Sequence, residues 1–399
     1  MRDPVIIDAV RTPIGRVNGA LSTVRPDDLA GHVIRELMKR VDIDPNDIDD
    51  VLMGCANQGG EDNRNVARMG LLLAGLPTTV PGVTVNRLCG SGLEAINQSS
   101  SSVKADQGDV FIAGGTESMS RAPYVMMKPH VTGARGNQTL YDTTIGWRLV
   151  NPELAKEYPP ISLGETAENV GVKYNISREE QDEMALQSQK KAVRAMESNR
   201  FEEEIVPYEV PQRKGAPVLF EKDEHPRPEA SLEGLKSLKG AFKEGGTVTA
   251  GNSSGINDGA SALLIMEKER AEQLGLQPMA RIVTSAVAGV DPSYMGIGPI
   301  PATQKALKRA GLTTKDIDLA ELNEAFAAQA LACIKELELD PDIVNVNGGA
   351  IALGHPLGCS GARIMTTLVH EMQKRDCRYG LASMCIGVGQ GISTIVEKI

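Results

Sequence analysis

Two stretches of this chain repeat one another at a fixed distance, and that repeat limits the fold more than any other feature. Lys39-Arg40 returns as Lys308-Arg309, Asp47-Ile48-Asp49 as Asp316-Ile317-Asp318, and Ser91-Gly92 as Ser360-Gly361. Every pair is 269 positions apart (308 less 39, 360 less 91). One offset shared by separated matches marks two copies of a single unit. In each copy an amphipathic segment, LAGHVIRELMKRV or PATQKALKRAG, precedes the aspartates with apolar residues at helical spacing. Short apolar runs such as DVFIAGG and YGLASM have the length of buried strands. Alternating strand and helix patterns predict layered α/β halves.

Between the copies lies a stretch rich in Gly, Pro and charge, predicted to be a loop-rich insertion. Inside it Ser177-Arg178-Glu179-Glu180 has the form of a capping box opening a long polar helix. The division expected is residues 1–119 with 251–270 as an N-terminal half, 120–250 as a cover, and 271–399 as a C-terminal half.

With 399 residues, 41% hydrophobic and 24% charged, the chain can build one large or two medium cores. Its net charge of −10 argues against a nucleic-acid partner. No stretch approaches the roughly 18 uninterrupted apolar residues of a membrane span. The segment MRDPVIIDAVRTP lacks a signal-peptide core, so a cytoplasmic location is expected. The six cysteines form no C-x-x-C pair and the five histidines no H-x-x-x-H pair, so reduced thiols and no metal are expected.

Cys89 stands where the apolar run PGVTV meets the helix-like GLEAINQSSSSVKAD. A thiol at a helix N-terminus lies beside unpaired N–H groups and the positive end of the macrodipole, which favours its thiolate. Three more segments supply partners for acyl transfer: Asn323-Glu324-Ala325-Phe326, Gly354-His355-Pro356 and Cys385-Ile386-Gly387. Asn323 is also a candidate cap for the helix that follows it.

With NRLCGSG, TVTAGNSSGINDGA, LNEAFA, NGGAIALGHPLGCSGAR and MCIGVGQG in order, the chain resembles the thiolase family over essentially its whole length. The resemblance implies a five-layered αβαβα fold of two pseudo-repeated halves, with the insertion binding coenzyme A as substrate and no permanently bound cofactor. It implies Cys89 as acyl acceptor, His355 as base, Cys385 as general acid/base, and the Cys89 and Gly387 N–H groups as one oxyanion hole. Asn323 would hold a water that forms a second hole with His355. Arg227 matches a position near the CoA nucleotide, and Phe242, Ala250, Ser254, Ala325 and Phe326 match positions along the pantetheine path. The chain has Gly234 where some relatives place a serine beside the nucleotide.

The resemblance further implies an acyl-CoA partner, a homodimer or homotetramer, and for degradative relatives a hydratase/dehydrogenase partner subunit. Ser162 replaces the histidine of acetoacetyl-CoA-specialised relatives, which points to a degradative 3-oxoacyl-CoA thiolase of fatty-acid β-oxidation. GCANQGGEDNRNVARMGLLLAGLP and DTTIGWRLVNP are instead similar to 3-oxoadipyl-CoA thiolases of aromatic-compound breakdown. That substrate ends in a carboxylate, for which Arg64, Arg68 and Arg148 are candidate partners. An acetoacetyl-CoA-forming enzyme is a further alternative. From other classes come a cysteine hydrolase, whose C-G-[SA]-C-[WY] signature is absent, and a non-catalytic acyl-CoA scaffold.

Overall fold

The structure is a computed structural model and describes residues 2–129, 133 and 135–399; His130 and neighbouring insertion residues lie outside the described set. The order of strands in its main sheet exposes the repeat. Across the sheet run Leu319–Leu322, Tyr379–Ile386, Gln390–Lys398, Ala280–Gly289, Pro4–Arg11, Asn257–Glu267, Val110–Ser118, Asp50–Gly54 and Gly82–Val85. Within the sheet the two halves join through two paired positions, Val5 with Arg281 and Ile6 with Ala280. Outward from that seam each half has antiparallel strands first and then parallel pairing, one such pair in the C-terminal half and two in the N-terminal half. Strand starts at Asp50 and Leu319, and at Val110 and Tyr379, keep the 269-residue offset seen in the sequence.

Between the sheet halves the helices Ser91–Lys104 and Leu357–Lys374 pack on one another. Leu93, Ile96 and Val103 from one and Ile364, Leu368 and Met372 from the other share a core with strands of both halves. The helices Pro26–Arg40 and Val66–Leu73 cover the outer face of the N-terminal half. Pro299–Ala310 and Ala327–Glu336 cover that of the C-terminal half. The result is the five-layered αβαβα order. Because each sheet is covered on both faces, strands read as continuous apolar runs, and Asn257–Glu267 is buried at every position.

The central helices cross where the repeated Ser-Gly pairs fall. A Cβ on Gly361 would lie 2.7 Å from Leu93 Cβ, and one on Gly92 would lie 2.8 Å from the Ala362 backbone nitrogen. Only glycine lets these backbones approach so closely. Their N-termini therefore meet at one place, with Cys89 ahead of one helix and His355 ahead of the other.

The insertion is built of more helix than a loop-rich reading suggests. Leu163–Lys173 and Arg178–Glu197 both open with complete capping boxes, Ser162 with Glu165 and Ser177 with Glu180. Each packs on Ala327–Glu336. A buried ion cluster ties this region to the first strand: Arg11 donates to Glu204 at 2.6 Å and to both Asp223 oxygens at 2.7 and 3.0 Å.

Candidate active site

The strand Gly82–Val85 ends at a tight turn that aims Cys89 at the helix junction. Leu88 there has a left-handed backbone, φ 49°, a conformation that costs of order 1–3 kcal/mol in a non-glycine residue. The turn is held by Ser91, whose hydroxyl donates to the Leu88 carbonyl (2.6 Å) and accepts from the Arg87 N–H (2.9 Å). Cys89 is buried, and burial pushes its thiol up to about 11 although the Gly387 N–H faces the sulfur and opposes the rise. The helix position alone thus leaves Cys89 protonated, which corrects the expectation of a favoured thiolate. Desolvation of the charge outweighs the dipole.

His355 is held from both sides. Gly354, φ 102°, packs against the Asn257 side chain, whose Oδ1 accepts the His355 N–H at 2.9 Å. The His355 ring Nδ1 lies 2.6 Å from Ser360 Oγ, which itself donates to the Pro356 carbonyl at 2.9 Å. With that hydroxyl proton committed, Ser360 can only accept, so Nδ1 carries the proton and Nε2 keeps its lone pair. Burial, and then Arg363, lowers His355 to about 3, leaving a neutral imidazole.

Asn323 follows the strand Leu319–Leu322, and its N–H donates to the Ser383 carbonyl at 2.9 Å. Its Nδ2 lies 3.5 Å from each His355 ring nitrogen, and its buried Oδ1 has no partner among the described residues. It does not cap the next helix: that helix begins at Ala327 with Phe326 in the cap position and no side-chain cap. Cys385 is the penultimate residue of the strand Tyr379–Ile386 and is also buried, which holds its thiol well above the usual cysteine range, with Cys89 adding to the rise. Gly387 follows, and Val388 (φ 61°) and Gly389 (φ 77°) turn the chain back.

Cys89 and Gly387 open onto a cavity of about 270 Å³ whose far wall comes from Thr143–Arg148 and whose near wall includes Ala56 and Asn57. Glu117 clasps this wall to the His355 helix. One Glu117 oxygen accepts from Ala56 N–H (2.9 Å) and Gly358 N–H (2.8 Å), the other from Asn57 N–H (3.1 Å). Burial raises its carboxyl to about 7. Sequence reasoning missed both the wall and the clasp, because Ala56, Glu117, Thr143 and Gly358 are far apart in the chain. Ligand atoms of Cys55, Asp62 and Glu117 also lie within 4.8 Å of one another, a grouping invisible in the residue spacing. The Cys55 thiol donates to the Asn57 carbonyl at 3.1 Å and both Glu117 oxygens accept backbone N–H groups, so hydrogen bonds already account for those atoms.

The positions matched to CoA binding lie elsewhere. Ala325 and Phe326 share an apolar cluster with Cys385, Phe242 meets Phe326 edge-on at 5.9 Å, and Ser254 N–H donates to the Ala325 carbonyl at 3.0 Å. Ala250 and Arg227 are exposed. Gly234 sits in the short helix Leu232–Lys236, where a Cβ would meet only Ser231 Oγ. Of the three candidate arginines, only Arg148 lines the cavity. Arg68 instead donates to the Thr78 and Val80 carbonyls, and Arg64 is exposed, which removes both from the acyl pocket.

Two buried thiols, one of them at a cavity with Gly387, and a neutral imidazole beside the Asn323 amide mark a cysteine-centred α/β acyltransferase. The comparisons give the family. The thiolase N-terminal domain matches residues 4–269 and the thiolase C-terminal domain residues 276–398. The chain is 55% identical over 402 residues, covering 100% of both, to a 3-oxoadipyl-CoA/3-oxo-5,6-dehydrosuberyl-CoA thiolase of Escherichia coli (strain K12). It is 53% identical, again with full coverage of both, to a beta-ketoadipyl-CoA thiolase of Pseudomonas aeruginosa. Among solved structures it is similar to the Bacillus anthracis acetyl-CoA acetyltransferase (TM-score 0.94, 44% identity) and to human mitochondrial 3-ketoacyl-CoA thiolase (TM-score 0.92, 42% identity). Each of those comparisons covers 100% of this chain and 99% of the other. The chain belongs to the thiolase family and is an acyltransferase that uses coenzyme A as a substrate. Among the described residues no helix is long and apolar enough to cross a membrane.

Proposed function

We propose that the protein cleaves 3-oxoadipyl-CoA with CoA, giving succinyl-CoA and acetyl-CoA. The catalytic part of this reading is supported by two pairings, Cys385 facing Cys89 and Asn323 Nδ2 at 3.5 Å from the His355 ring, with Cys89 and His355 each just ahead of a central helix. The substrate is supported by the relatives, several of which are named for 3-oxoadipyl or beta-ketoadipyl substrates. This favours aromatic-compound breakdown over the fatty-acid β-oxidation expected first.

His355 Nε2 takes the Cys89 proton, and the thiolate attacks the C3 carbonyl of the substrate. The C3 alkoxide is held by the N–H groups of Cys89 and Gly387, and the thioester oxygen, which takes up charge as the enolate forms, by Nε2–H of His355 with a water on Asn323, whose Oδ1 is otherwise unpaired. The C2–C3 bond breaks, its electron pair passes to C2 as the acetyl-CoA enolate, and Cys385 protonates C2. Succinyl-Cys89 remains, its carbonyl oxygen facing the N–H groups of Cys89 and Gly387. The Cys385 thiolate then takes the proton of CoA, the CoA thiolate attacks the acyl carbon, and Cys89 leaves and recovers its proton from His355. Both thiols end as they began. High thiol pKa values suit these steps, because neutral Cys385 can donate to a carbanion and then recover a proton from another thiol.

The test is CoA-dependent turnover of 3-oxoadipyl-CoA with identification of both products, beside Cys89→Ala. Succinyl-CoA and acetyl-CoA in equal amounts, lost in the variant, support the reading; no CoA-dependent cleavage of this substrate overturns it.

A further inference from the structure

We infer that Arg148 is the specificity-determining residue of the acyl pocket and binds the terminal carboxylate of the acyl chain. The inference rests on the thiolase reading of the site and adds how the site selects a dicarboxylic chain.

The cavity beside Cys89 is walled by apolar groups such as Leu88, Ile145, Trp147, Ile161 and Leu163. Among the described residues Arg148 is the one charged side chain that lines it. Its only hydrogen bond among those residues is a long one, 3.4 Å, to the Gly146 carbonyl, and no carboxylate there pairs with it. Arg148 is half-buried as a residue, and its guanidinium, at an apolar pocket with no anion paired to it among the described residues, has its forked donors free for a planar carboxylate.

The segment that carries Arg148 is fixed at points on either side of the cavity. Thr143 is buried, donates to the Pro123 carbonyl at 2.6 Å and accepts from Asn57 Nδ2 at 3.0 Å. Trp147 Nε1 donates to the Ile161 carbonyl at 3.0 Å, and Leu149, φ 52°, turns the chain away. Arg148 is therefore held at the pocket, and it can be desolvated and paired without reordering the loop. A succinyl group on Cys89 carries its carboxylate at the far end of a short, extended chain, so charge at the cavity wall and reaction at Cys89 are satisfied by one pose.

The experiment compares kcat/KM for 3-oxoadipyl-CoA with that for 3-oxohexanoyl-CoA, which has the same number of carbons and no terminal charge. Taking the ratio within each protein cancels losses common to both substrates. The wild type should prefer the charged substrate, and Arg148→Gln should lower that ratio about 30-fold or more, with Arg148→Lys between them. Arg64→Gln and Arg68→Gln should keep it. If the wild type shows no preference, the dicarboxylate substrate falls. If the preference is present but survives Arg148→Gln, or collapses in either of the other two variants, only the role of Arg148 falls.

Discussion

Gly361→Ala tests whether the crossing of the central helices sets the active site. The added Cβ would lie 2.7 Å from Leu93 Cβ and 3.0 Å from Leu93 Cα, and closer still to its backbone nitrogen. Carbon atoms rest at about 3.5–4.0 Å, so the helices must part by about 1 Å. Two of the three atoms are backbone, so no rotamer change relieves the clash. Overpacking of this kind costs about 1–3 kcal/mol. The movement also separates Cys89 from His355, each just ahead of one of the two helices, and a misplacement of about 1 Å can lower turnover about 100-fold. Urea unfolding and kcat/KM read the two effects. Gly171→Ala is the control: it too is a buried helical glycine, but its Cβ meets nothing closer than 3.8 Å. Wild-type stability and kcat/KM in Gly361→Ala would refute the idea that this contact positions the nucleophile and the base.

Three other expectations follow from the charges and from one unpaired atom. Glu117 has its pKa raised from 4.5 to about 7, so the native state binds more protons than the unfolded chain between those values. Its contribution to stability is therefore full below pH 4.5 and is lost as pH rises through 7, a change of about 3 kcal/mol. In Glu117→Gln the stability–pH profile should lack that decline; an unchanged profile would contradict it. Iodoacetamide labelling of Cys89 in the free enzyme should climb about tenfold per pH unit between pH 7 and 10, since its thiol is pushed up to about 11; a plateau at neutral pH would show a preformed thiolate. Asn323→Ala should lower kcat about 100- to 1,000-fold, as loss of an oxyanion donor does, without lowering the unfolding midpoint; a parallel fall in stability would make the residue structural.

The fold was legible where pattern and chemistry agree. The 269-residue offset marked the two halves because the repeated Ser-Gly pairs are the points at which the central helices touch. Ser177 and Glu180 announced the helix Arg178–Glu197 because a capping box is a local signature. The proposed reacting groups were visible too, as motif residues of the thiolase family. Their states were not, since the protonation of Cys89 and His355 is set by burial, which depends on elements hundreds of residues away. Ser360 as the acceptor of His355 Nδ1–H, and Glu117 as the clasp between the cavity wall and Gly358, likewise arise only when the chain folds. The three candidate arginines looked alike in sequence. Arg68 is spent on two carbonyls, Arg64 faces out, and Arg148 alone reaches the cavity.

The covalent intermediate is the most direct test of the account. The enzyme would be mixed with 3-oxoadipyl-CoA in the absence of free CoA, quenched in acid and digested, and the peptides weighed. The account predicts one succinyl group in thioester linkage on the peptide bearing Cys89, with acetyl-CoA released in equal amount. No adduct, or an adduct on Cys385 while Cys89 stays free, would contradict it.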